Sequence, residues 1–251
     1  MKGLWVAGLC LLGQMAQAEL PARALTELQA DAWRARTGFH LLSIRGNNPA
    51  DQNALDELLA RGNEKIAALK TGTHGEPETQ WVAELQAAWV ALAKRARNNP
   101  LATQGYADYG AMSEINTDTL AVDRLVRDCK LASASRYQDI YALSVRLQKL
   151  ASEYLALSAF PSAGLPTGTQ QSPMDFAVSA QAIDTRLSSL VDRYRGDKAA
   201  EPVVGFIRQR WEFIRGAIPK MNDNGASKIP YLFARYSNQI AEKVESLAVA
   251  Y

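Results

Sequence analysis

The chain of 251 residues is 47% hydrophobic and 22% charged, with a formal net charge of +2. That balance argues against disorder and supplies enough apolar surface for one large or two small cores. So small a net charge leaves no electrostatic footprint for nucleic acid.

Residues 1–18, MKGLWVAGLCLLGQMAQA, carry one lysine, an apolar run from Leu4 to Leu12, and Ala16-Gln17-Ala18 as a small-x-small cleavage site. This is the layout of a secretory signal peptide, so a periplasmic or secreted location is expected, with a mature chain beginning near Glu19. No later window approaches eighteen uninterrupted apolar residues, and no retained membrane span is expected. Leu9 stands before Cys10, where lipoprotein signals carry a small residue. Without residues 1–18 the formal charge is +1 and Cys129 is the only thiol, which excludes an internal disulfide. Cys129 is expected to be buried on a helix.

From Pro21, Leu25, Leu28, Ala32, Phe39 and Leu42 recur at helical spacing up to Gly46-Asn47-Asn48-Pro49. Asp51 to Lys70 repeats the pattern with Leu55, Leu58, Leu59, Ile66 and Leu69, and should fold back as the second arm of a hairpin. A third helix is predicted from about Thr79 to Arg97, with Trp81, Leu85, Trp89 and Leu92 facing inward. Leu101 to Asn116 reads as an irregular connection with one short helical turn. Thr117 to Ala159 then runs without proline or glycine, and its apolar residues recur at steps of three and four, which predicts one long helix. Residues 160–173 read as a linker or extended loop. Asp175 to Arg195, a helix opening at Pro202 and stopping before Pro219 and the NDNG turn, and a last helix opening at Pro230 complete the chain. No segment alternates with period two for long enough to predict a strand.

An offset of 122 residues places Val82 on Val204, Leu85 on Ile207, Trp89 on Trp211, Leu92 on Ile214, Tyr109 on Tyr231, Asn116 on Asn238, Val122 on Val244 and Leu125 on Leu247. The order and spacing of helix, turn and helix agree in both copies, the mark of an internal duplication. The expected fold is all-α, with two tandem four-helix-bundle-like units, residues 19–135 and 136–251, sharing one long central helix.

The sequence has none of the spacings that carry common catalysis. His40 and His74 lack the Glu-x-x-His and His-x-x-x-His patterns of metal-binding bundles and zinc proteases, and no Cys-x-x-Cys-His, Gly-x-Ser-x-Gly or Gly-x-x-x-x-Gly-Lys occurs. No enzymatic activity and no cofactor are therefore expected; the alternative is a haem- or metal-binding bundle using His40. Two clusters suit ligand binding. VGFIRQRWEFIRG places Arg208, Arg210 and Trp211 together, and IPYLFARYSNQ places Tyr231, Arg235, Tyr236 and Asn238 on neighbouring turns. Guanidinium groups beside aromatic rings suit a small carboxylate or other anion. The plainer reading makes Trp211, Tyr231 and Tyr236 core, with the arginines lying along their stems into water.

Arg208-Gln209-Arg210 followed by an apolar residue resembles the arginine-glutamine-arginine-methionine helix of periplasmic all-helical sensor modules of the type IV pili methyl-accepting chemotaxis transducer and nitrate sensor kind, with Trp211 in place of the methionine. The resemblance implies an exported module that binds a small anionic ligand or a membrane receptor partner. It carries over no ligand residue. A structural envelope protein is the remaining expectation, marked by a large exposed apolar patch.

Overall fold

The computed structural model describes residues 20–130, 132, 135–160, 175–221 and 227–247. The expected signal peptide, the loop 161–173 and the NDNG turn lie outside the described residues. The chain is all-α: α1 (Ala22–Arg45), α2 (Pro49–Thr71), α3 (Glu76–Arg97), α4 (Pro100–Gln104), α5 (Tyr109–Arg127), α6 (Gln138–Ala159), α7 (Phe176–Arg193), α8 (Ala200–Arg215) and α9 (Pro230–Glu245). Among the described residues the sole extended pairing is an isolated parallel bridge between Leu20 and Ala132. Among the described residues no helix is long and apolar enough to cross a membrane.

The helix ends follow from local chemistry. Gly46 stops α1 in the left-handed conformation, at φ 65°, where a side chain would be strained. Asn48 then accepts hydrogen bonds from the Ala50 and Asp51 N–H groups with Pro49 in the first turn of α2. Asp108 and Asp175 cap α5 and α7 in the same way, through the N–H groups of Ala111 and Val178.

The long helix expected over 117–159 is two helices. α5 begins at Tyr109, inside the stretch read as irregular, and ends at Arg127; α6 begins at Gln138. The reason lies in direction. Arg95, near the end of α3, pairs with Glu114 and Asp118 early in α5, and Asp123 further along reaches back to Trp33 and Gln29 on α1. α5 thus runs antiparallel to α1. Gln138 bonds Thr26 while Arg36 bonds Ser152 and Glu153, so α6 runs parallel to α1. The chain must reverse between them. Asp128, whose backbone closes α5, and Ser135 belong to the residue types that compete for backbone hydrogen bonds and weaken a helix without any proline or glycine. Cys129, half-buried, sits just past the end of α5 rather than on a helix.

The centre of the molecule is the pair α1 and α6. α1, α2, α3 and α5 enclose one apolar cluster, and α6 to α9 enclose another. Sixteen of the 24 residues of α1 are buried, among them Asp31, Arg34, Arg36 and His40. Arg36 meets Glu153 at 2.9 Å, and Arg34 meets Asp31 and Glu245 at 3.0 Å. These pairs let α1 carry charge into the interior, because each buried guanidinium has a carboxylate partner: Glu153 for Arg36, and Asp31, Glu242 and Glu245 for Arg34.

The two apolar clusters each hold a buried tryptophan, Trp89 on α3 and Trp211 on α8. Gly62 on α2 lies against Trp89 so closely that a Cβ there would stand 1.9 Å from the indole. On the other side the Trp211 indole N–H donates to Asp184 on α7 at 2.7 Å. The offset that pairs the tryptophans also pairs Gly62 with Asp184.

Candidate ligand groove

The seven residues singled out in the sequence fall into three places. Tyr231, Arg235 and Asn238 line one groove between α1, α2 and α9. Arg208 and Trp211 border a different depression between α7 and α8, where the indole is core and Arg208 is exposed. Arg210 lies over the Phe206 and Tyr236 rings, at 4.8 and 5.4 Å, and Tyr236 stacks on Phe213. The two clusters therefore do not line one common cavity: Trp211 lies in the α7–α8 contact, and successive turns of α8 and α9 present their side chains to different neighbours.

The first groove, about 310 Å³, has its walls in both halves of the chain. α9 runs antiparallel to α1: Tyr231 at its start lies under Arg45, 4.6 Å from the guanidinium, and Glu245 at its end reaches Arg34. Asn238 accepts from Arg34 Nε at 3.2 Å. Pro230 in the first turn of α9 sets this register, leaving Tyr231 46% exposed at the mouth. Much of the charge is already committed. Arg34 is held by Asp31, Glu242 and Glu245, and Arg45 by Asp51 at 2.9 Å. Burial pushes the Asp51 carboxyl up, with Arg45 opposing. Glu245 is also raised, by burial and then by neighbouring Asp31.

Three charged groups on the walls are uncommitted. Arg61, Arg235 and Glu57 have no ion-pair partner among the described residues, and the Gln239 side-chain oxygen is buried without a donor. Two guanidinium forks and an unfilled acceptor are suited to a molecule bearing a carboxylate together with an N–H or O–H group. The groove falls at the lower end of the size range of small-molecule sites.

No family model matches the chain, and neither a curated protein nor a solved structure matches it significantly.

His40 is wholly buried on the α1 seam, edge-on to Phe39, with both ring nitrogens unpartnered. Burial, and then the Arg36 charge, hold it well below the usual histidine range, so its ring is neutral. Among the described residues no group of three or more His, Cys, Asp or Glu is placed to hold a metal ion. The α1 and α2 walls of the groove were not singled out from the sequence, because Arg34, Arg61 and Glu57 look like the wet face of amphipathic helices. The available signal was Arg34 and Arg36 standing among Ala30, Ala32, Trp33 and Ala35, a density of small and apolar residues that leaves α1 no solvent face.

Proposed function

We propose that this is an exported, non-enzymatic binding protein whose groove between α1, α2 and α9 takes a small carboxylate carrying a hydrogen-bond donor, such as an amino acid or hydroxy acid. The observation that carries the reading is the pair Arg61 and Arg235, uncommitted guanidinium groups beside the buried acceptor of Gln239, in a groove whose other charges are largely internally paired. Export is supported by the layout of residues 1–18. The absence of catalytic motifs in the sequence supports binding over turnover. The sensor-module likeness rests on Arg208-Gln209-Arg210, which lies outside the lining of the groove.

Thermal melting against a panel of amino acids, hydroxy acids and simple carboxylates tests the reading. A ligand at about a hundred times its Kd adds about 2.7 kcal/mol, a rise of a few degrees. The rise should vanish in Arg61→Gln and Arg235→Gln. No shift with any member of the panel counts against it. A membrane receptor partner is the second reading, supported by Tyr231 and Leu232 exposed side by side at the groove mouth; Leu232→Glu should then abolish receptor capture while leaving small-ligand binding intact.

The chain is further proposed to be two copies of one helical unit. Val82 and Val204, Leu85 and Ile207, and Leu92 and Ile214 are buried in pairs beside the two tryptophans, and Tyr109 and Tyr231 are both exposed in the first turns of α5 and α9.

A further inference from the structure

A second groove, about 580 Å³, opens where α1 and α5 meet α6 and α7. It is the counterpart of the first: α6, α7 and α5 stand where α1, α2 and α9 stand there. We propose that it is an independent site for a small multivalent oxyanion, of the size of a tricarboxylate or pyrophosphate.

The charge arrangement carries this. The groove wall holds one carboxylate, Asp123, and the fold uses it fully. Its Oδ1 accepts from Trp33 Nε1 at 2.8 Å and Gln29 Nε2 at 3.0 Å, and its Oδ2 from Arg127 at 3.2 Å. Arg127 is also bound to Asp128. Arg146 and Lys149, one turn apart on α6, remain. Neither has a carboxylate within 4 Å among the described residues. Lys149 is held instead by the face of Trp33, its Nζ 5.2 Å from the ring centroid. A cation fixed by a ring and not by a carboxylate keeps its charge available to a ligand. Where the first groove offers Glu57 beside its two free arginines, this one offers uncommitted positive charge alone. Gln138 and Thr26 on the same wall are bonded to each other, Gln138 Nε2 donating to Thr26 Oγ1 at 2.9 Å. Val178, 65% exposed, forms an apolar rim on α7. Two uncommitted cations, Arg146 and Lys149, on one cleft match an anion with more than one charge better than a monocarboxylate.

The test is isothermal titration of the full chain with tricarballylate, a tricarboxylate without the hydroxyl or amine donor that the first groove takes, and with inorganic pyrophosphate at low salt, with acetate as the monovalent control. Saturable binding at one site per chain by either multivalent anion is expected, with none by acetate, and the stronger of the two identifies carboxylate or phosphate chemistry. Arg146→Gln with Lys149→Met should weaken binding at least tenfold. Val178→Glu, which adds a carboxylate to the rim at an exposed position and leaves the packing alone, should weaken it too. Arg208→Gln removes the same charge elsewhere and should leave affinity within twofold. Arg61→Gln with Arg235→Gln should do likewise, which separates this site from the first groove. Absence of saturable binding overturns the proposal. So does binding that survives both groove variants, or an equal loss in Arg208→Gln, which would mark a general charge effect.

Discussion

Trp89 and Trp211 occupy matching places on α3 and α8, yet they are held by different physics. Trp89 fits by shape, its ring in the space left by Gly62, its indole N–H buried without an acceptor. Trp211 is held by chemistry, donating to Asp184, which also accepts from Arg215 Nε at 2.7 Å. Burial pushes the Asp184 carboxyl up, but the hydrogen bonds from Arg215 and Trp211 outweigh it and hold the group below the usual carboxylate range. The same apolar anchor can thus be seated by deleting a side chain opposite it or by supplying a hydrogen-bond acceptor. The first solution tolerates no added atom. The second tolerates size but depends on one charge.

The largest expected effect breaks the shape-based solution. Gly62→Ala ordinarily gains about 1 kcal/mol in a helix, but here the new methyl group collides with Trp89 and the net loss should be about 3 kcal/mol by urea unfolding. A Trp89→Leu background should recover most of it. Asp184→Ala attacks the other solution and should cost about 2 kcal/mol, since it strands a buried indole N–H and removes the acceptor of Arg215. Comparison of Trp89→Phe with Trp211→Phe sharpens the contrast: Trp211→Phe should lose about 1 kcal/mol more, because Trp211 alone has a hydrogen bond to lose. Equal losses would show that ring volume alone matters at both sites.

The smallest effect lies on the seam between the two clusters. His40 is neutral in the folded chain, its affinity for a proton lowered by burial and by Arg36. As pH falls below about 6.5 the unfolded chain takes up a proton that the folded chain refuses, so stability should decline there. His40→Leu should remove this slope and change stability at neutral pH by less than about 1 kcal/mol, since neither ring nitrogen has a partner to lose. Glu245, whose carboxyl is pushed up, contributes the opposite slope at acid pH, but it is present in both proteins and cancels in the difference.

Of the groove, Tyr231, Arg235 and Asn238 were legible in the sequence because Pro230 announces the start of α9 and an aromatic residue with an arginine four positions on stands out. Arg61, Glu57 and Gln239 were not legible: each is an ordinary helical polar residue until the neighbouring helix shows which charges are already paired. Arg208 and Arg210 looked like site residues by proximity in the chain, whereas a helix turns adjacent residues by about 100° and sends them to different neighbours.

By itself the sequence determined that the chain is helical, most helix boundaries, and the buried face of α3 and α8, because periodicity, proline, glycine and capping residues act over one or two turns. The tertiary structure decided the reversal between Arg127 and Gln138, the central place of α1, and the pairing of Arg36 with Glu153. Those depend on which helix lies alongside which, across more than a hundred residues of chain, and no local pattern encodes the partner of a buried charge or the direction in which the next helix must run.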